Sequence, residues 1–219
     1  MWCIGTLTEE YRRRMYEVLD VYAQPYRERE PVICIDEKSK QLSRGSRAVL
    51  PMKAGAPAKL DSEYIREGTC NIFVAVEPRG GRRVVQVTER RTKSDFVSFV
   101  QRLLERSYAS ARKVHVVLDN LNTHFRRCFD EVLGPAAAAV LLRRVVFHHT
   151  PKHASWLNMA EIEISILDRQ CLSRRLADHA TARREVGAWQ RKRNAERRGI
   201  EWTFSRQDAD RKLRHHYVS

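Results

Sequence analysis

The chain has 219 residues, 42% hydrophobic and 31% charged, a balance that suits a folded core and argues against a disordered segment. Its 41 Lys and Arg against 27 Asp and Glu leave a net charge of +14, which points to a polyanionic partner, with a basic surface kept for solubility as the plainer alternative. There is no apolar run of 18 residues, no signal-peptide core and no clean basic amphipathic helix, so nothing supports a membrane role; five scattered cysteines without a C-x-x-C pair argue against a disulfide framework or a zinc site.

Tyr11, Met15, Val18, Leu19 and Tyr22 fall at helical spacing and predict a lead-in helix over residues 8–22. With a connector bracketed by Pro25 and Pro31, it makes up a first segment of residues 1–30, ahead of one domain over 31–219. The continuous apolar run from Val32 to Ile35 predicts a central strand ending at Asp36. Residues 38–69 are polar, carry Lys38, Lys40, Arg44, Arg47, Lys53 and Lys59, and read as a basic insertion with room for short strands. Strands over 70–77 and 83–88 flank the hairpin signal Pro78-Arg79-Gly80-Gly81. Ser94 is read as the N-cap of a helix to about 105, with Phe96, Val97, Val100, Leu103 and Leu104 on one side.

A second central strand, 114–118, ends at Asp119. Helices over 125–133 and 135–142, a strand over 145–148 and a loop over 150–158 follow, and then a helix over 159–174. Thr181 is read as capping an Arg-rich helix to about 198, residues 201–204 as extended, and Ser205 as capping a last short helix. The order describes one mixed α/β sheet covered by helices.

Two apolar strands thus end in acids, Asp36 and Asp119. A strand-end Asp by itself is equally at home in a turn, and Asn120 and Asn122 fit turn chemistry too. Glu161, in the first turn of the 159–174 helix, adds a third carboxylate. Three carboxylates brought together repel one another unless cations neutralise them, and hard oxygen donors suit Mg²⁺ or Mn²⁺. Two such ions clamp the attacking and leaving oxygens of a phosphoryl displacement.

The segments VICIDEKSKQL (32–42), VVLDNLNTH (116–124) and TPKHASWLNMAEIEISIL (150–167) resemble the bacterial insertion-sequence transposases of the mariner superfamily. The resemblance implies a ribonuclease-H-like fold, a sheet of about five strands, with Asp36, Asp119 and Glu161 as the catalytic triad of acids. By it, Asp36 bridges two Mg²⁺ ions while Asp119 and Glu161 each complete one side, and the reaction nicks DNA at transposon ends and then transfers the 3′-hydroxyl into target DNA. Asn120, Asn122, His124 and Asn158 are supporting candidates. Lys38, Lys40, Lys152, His153, Trp156, Arg191, Lys192 and Arg193 are DNA-binding candidates, Trp156 being equally readable as core packing. A homodimer assembled on DNA in the bacterial cytoplasm is implied as well. Forty-one residues separate Asp119 from Glu161, more than is usual in that superfamily, and the alanine-rich stretch 135–142 accounts for the excess. Members carry an amino-terminal helix-turn-helix module, so that module is expected to be truncated here or to sit on another chain. The alternatives are a ribonuclease H or resolvase-like nuclease of the same fold and an inactive DNA-binding remnant.

Glu163 lies two residues from Glu161, about 200° around the helix. It is expected to face away from the site and to be dispensable, with Ile162, Ile166 and Leu167 as the buried flank; Asp168, on the Glu161 face, is expected to hold a Lys or Arg.

Overall fold

The computed structural model describes residues 7–47, 52–55, 57, 62–119 and 126–216. Five strands form one mixed sheet: β1 (Val32–Gly45), β2 (Tyr64–Glu77), β3 (Arg82–Thr88), β4 (Val114–Leu118) and β5 (Val145–His149), in the order β3-β2-β1-β4-β5. β1, β2 and β3 run antiparallel as a meander, whereas β1, β4 and β5 are parallel. Helices α2 (Lys93–Arg102), α3 (Arg126–Leu133) and α4 (Pro135–Leu142) cover one face. Helices α1 (Glu9–Ala23), α5 (Ala160–Leu167), α6 (His179–Glu196) and α7 (Arg206–Leu213) cover the other.

Strand alternation decides which side chains each layer receives. Ile33, Ile35, Phe73, Ala75, Val114, Val116 and Leu118 point to the α2–α4 face and join Phe96, Phe99 and Phe129 in one apolar cluster. Cys34, Val76 and Val117 point the other way, to Met15, Val18 and Leu157, while Ile72 and Val74 meet Ile164, Leu167 and Trp189. The four described cysteines are all buried and free.

Several boundaries differ from those expected. β1 does not stop at Asp36 but continues nine residues to Gly45, because β2 keeps supplying an antiparallel partner after the pairing with β4 ends at Cys34. The stretch read as a basic insertion therefore contributes residues 38–45 and 64–69 to the two antiparallel arms β1 and β2. Thr92, not Ser94, caps α2, in a reciprocal capping box with Asp95; Asp178, not Thr181, caps α6 and accepts from the Thr181 N–H. α5 ends at Leu167 and continues as a π-helical turn over Asp168–Leu172 instead of reaching residue 174. No described helix is long and apolar enough to cross a membrane.

Under α1 a polar chain crosses the outer strands. His115 of β4 and His148 of β5 stack with ring centroids 5.2 Å apart, His115 Nδ1 lies 2.9 Å from His148 Nε2, and His148 Nδ1 lies 2.8 Å from Glu17 Oε1. His148 thus has both ring nitrogens occupied by protein partners. Burial, then the neighbouring His148 and Lys113, hold His115 below the ordinary histidine pKa.

Candidate active site

Cys34 and Val117 are register partners across β1 and β4. Asp36 and Asp119 each lie two residues further on, so neighbouring chain segments carry them at the same level of the sheet. Asp36 is only 7% exposed, and its Oδ1 accepts the Glu37 N–H at 2.8 Å. Burial, chiefly, pushes its carboxyl from 3.8 up to about 7; the charges of Glu161, Asp119 and Glu37 add to the rise. Glu161 and Asp119 thus act electrostatically on Asp36, although among the described residues no three His, Cys, Asp or Glu side chains are gathered closely enough to hold an ion. Separation is what uncompensated carboxylates favour. A buried carboxylate raised by two acidic neighbours is a hard-oxygen donor set that a divalent cation would relieve, so the residues fit Mg²⁺ or Mn²⁺.

The chain around α5, from Asn158 to Leu176, is fastened along β1 at four levels. Asn158 is fully buried; its Nδ2 donates to the Ile35 carbonyl at 2.8 Å and its Oδ1 accepts the Ala160 N–H at 3.1 Å. This ties the start of α5 to the residue before Asp36. Further on, Lys38 Nζ stands 3.4 Å from Asp168, Lys40 Nζ donates to the Leu172 carbonyl, and the Ser43 N–H donates to the Leu176 carbonyl at 2.8 Å. Asp168 therefore holds a lysine, as expected. Lys40, expected on DNA, instead satisfies a carbonyl at the end of the π-helical turn.

Glu163 contradicts the expectation most sharply. It is not on a dispensable side: it is fully buried, with Oε2 at 3.0 Å from Arg83 Nη2 and Oε1 at 2.9 Å from Arg193 Nε. Arg83 is 1% exposed, and Arg193 also reaches Glu196 at 2.9 Å. Arg193 is consequently a buried clamp and not a DNA contact, and its carboxylate partner holds its pKa above the ordinary value. The buried flank of α5 consists of Ala160, Glu163, Ile164 and Leu167, while Ile162 is exposed and Ile166 only partly buried. A Glu between two isoleucines was the available signal for this triad, but the arginines that neutralise it lie 80 and 30 residues away in sequence.

Of the remaining candidates, Lys152, His153, Arg191 and Lys192 are exposed, His153 with a left-handed backbone (φ 64°). Trp156 is 43% exposed, its ring edge-on to Phe204 at 5.4 Å. Asn120, Asn122 and His124 lie outside the described residues.

A family model for the DDE superfamily endonucleases matches residues 31–182, a span that holds Asp36, Asp119 and Glu161. No curated protein matches the sequence significantly. Among solved structures, the fold is similar to the Mos1 mariner paired end complex with Mn (TM-score 0.55, 14% identity, 88% of this chain and 58% of that one) and to the Mos1 Strand Transfer Complex (0.57, 13%, 87% and 57%). It is also similar to the catalytic domain of Mos1 mariner transposase (0.52, 12%, 90% and 94%). The chain thus spans well under two thirds of the proteins in the two complexes but nearly all of the isolated catalytic domain, and the likeness establishes a ribonuclease-H-like fold. With the family model matching more than half of its length, the chain belongs to the DDE superfamily endonucleases.

Proposed function

We propose that this chain is the catalytic domain of a transposase that nicks DNA and joins the freed 3′-hydroxyl to target DNA, with Asp36, Asp119 and Glu161 as the metal-binding acids. The observation that carries the reading is the Asp36 carboxyl, buried and raised to about 7 chiefly by that burial and further by the charges of Glu161 and Asp119, with Asp36 and Asp119 each two residues past the paired Cys34 and Val117. Bound Mg²⁺ or Mn²⁺ would supply Lewis-acid stabilisation of the phosphoryl group and an activated water. The chain's own part is placement. The Glu37 N–H fixes one Asp36 oxygen and leaves the other for an ion. Asn158 ties the α5 start to Ile35, so Glu161 and Asp36 keep their spacing. In the first step the water oxygen bonds to phosphorus and the P–O3′ bond breaks, leaving a 3′-hydroxyl. In the second that hydroxyl's oxygen attacks a target phosphorus and displaces another 3′-oxygen. No side chain forms a covalent intermediate.

DNA as the partner is supported by the net charge of +14 and by the resemblance to transposase complexes. Assembly as a homodimer on DNA and cooperation with a separate helix-turn-helix module belong to the same proposal. The test is incubation of supercoiled plasmid and a labelled duplex with a free 3′-hydroxyl, with Mg²⁺ or with chelator, using the chain and Glu161→Gln. Nicking and covalent joining that need both Mg²⁺ and Glu161 are expected. Cleavage of an RNA–DNA hybrid without joining would move the assignment to a ribonuclease H, and DNA binding without cleavage would make the chain an inactive remnant.

A further inference from the structure

β3 is an edge strand, and an edge leaves alternate backbone groups without strand partners. α6 covers part of it with side chains one helical turn apart. Asn194 accepts the Arg83 N–H at 2.8 Å and donates to the Arg83 carbonyl at 2.9 Å, and Gln190 accepts the Val85 N–H at 2.7 Å. The next turn of the helix brings Val186 and Gly187, which have nothing to offer, so the outward N–H of Val87 stays open by the same alternation. A groove of about 360 Å³ lies there, bordered by Arg102 from the end of α2 and by Arg183 and Arg191 from α6. All three arginines are exposed, none forms an ion pair with a described acid, and no Asp or Glu lines the groove. Elsewhere on these helices the pattern differs: Arg184 is paired with Glu185, and Arg193 with Glu163 and Glu196.

The sheet register fixes where this groove stands. Asp36 pairs with Val74 and Val74 with Val85; Lys38 pairs with Ile72 and Ile72 with Val87. The groove is therefore level with the candidate catalytic strand segment and two strands away, about 10 Å in the plane of the sheet. We propose that the β3-edge groove is a phosphate-binding subsite for the DNA strand that the acids cleave, in which Arg102, Arg183, Arg191 and the Val87 N–H hold backbone phosphates about three nucleotides from the scissile one, at roughly 3.4 Å per nucleotide. It rests on the reading of the chain as a DNA-cleaving enzyme. The occupant is assigned by charge: three unpaired guanidiniums and an outward amide converge on a cleft without acids, which suits a polyanion whose charges repeat along its length.

The test compares the full chain with Arg102→Gln/Arg183→Gln/Arg191→Gln. A control triple on segments that do not border the groove, Arg13→Gln/Arg29→Gln/Arg214→Gln, removes the same charge. Binding of a labelled duplex is followed by anisotropy in chelator between 50 and 300 mM KCl, with plasmid cleavage by the wild type in Mg²⁺ measured in parallel. The groove triple is expected to lower the slope of log affinity against log salt by about 2–3, at about 0.9 per lost phosphate contact, and equally for unrelated sequences. The control triple is expected to lower it by less than 1. Equal slopes for the two triples, with the wild type still cleaving, would overturn the groove and leave the enzymatic reading standing. Absence of wild-type cleavage with the slope difference intact would sink the enzymatic reading and leave the groove as an anion site. If the groove triple loses binding of a Glu-rich extended peptide while its DNA slope is unchanged, the edge receives a protein strand and the proposal is wrong.

Discussion

Against α2, α3 and α4 the sheet presents a single apolar cluster, in which Phe73 stacks on Phe99 at 5.4 Å and Phe129 meets Phe96 edge-on at 5.9 Å. Against α1, α5 and α6 it presents two smaller clusters, with a band of charge that includes Asp36, the Lys38–Asp168 pair and the Glu163–Arg83–Arg193 triad. The first face gains its stability from area removed from water, which is tolerant of direction. The second must hold ionised groups in fixed positions inside a poorly solvated layer, where each charge is costly unless its partner is present. The difference teaches that the candidate catalytic acids lie where the core is interrupted. The carboxylate that neutralises two arginines and the carboxylate proposed to bind metal sit two residues apart on the same helix.

The comparison breaks most visibly in activity. Asp36→Asn and Asp119→Asn are expected to lower Mg²⁺-dependent nicking by roughly a thousandfold or more, since several kcal/mol of charge stabilisation goes at about 1.4 kcal/mol per factor of ten. Circular dichroism should be unchanged; a variant that keeps a tenth of the nicking rate would remove that residue from the site. Next in size is stability. Glu163→Gln leaves two buried guanidiniums without their shared counter-charge and should cost about 3–5 kcal/mol in urea unfolding, against the earlier expectation that this position is dispensable. Phe129→Ala on the apolar face should cost a similar amount, about 3–5 kcal/mol, through a cavity. The two are told apart by rescue: Glu163→Leu combined with Arg83→Met and Arg193→Met should recover much of the loss. No recovery would mean that the triad does more than cancel its own charge.

A comparable effect follows from pH. The Asp36 carboxyl is raised in the folded protein from 3.8 to about 7, so the folded state keeps a proton that the unfolded state releases. Its contribution is fully present below about pH 4 and is lost as pH rises through 7. In chelator, Asp36→Asn should therefore unfold at higher urea than the wild type at pH 8, by on the order of 4 kcal/mol, and the advantage should shrink toward pH 4. A constant difference across that range would show that Asp36 is not held protonated. Smallest are the caps: Thr92→Ala on α2 and Ser205→Ala on α7 should each cost about 1 kcal/mol, measured by thermal unfolding, and leave nicking unaltered.

Much of this arrangement was legible in the residues. Continuous apolar runs announced β1 and β4, and their acids fell at one level because both strands are parallel and buried on both faces. The start of α5 was readable from the polar loop before it. The continuation of β1 was not, because Lys38, Lys40 and Arg44 alternate with Ser39, Gln41 and Ser43 in a pattern that looks like loop; only the pairing with β2 and the ties to the α5 extension make it strand. Glu163 was misjudged for a related reason. Helical geometry gives the direction of a side chain but not what waits there, and Arg83 and Arg193 arrive from β3 and α6. Asn158 was singled out as supporting, but its two hydrogen bonds become visible only once Ile35 and Ala160 are its neighbours.

The imidazole pair beneath α1 has one more consequence. When the Glu17 carboxylate accepts from His148 Nδ1–H, the His148 Nε2 is the acceptor of the Nδ1–H of His115. Both rings are then fixed as the same tautomer, and the donor direction runs one way from β4 through β5 to α1. The first helix of the fold is in this way tied to β4 and β5 by a directional hydrogen-bond chain made of side chains alone.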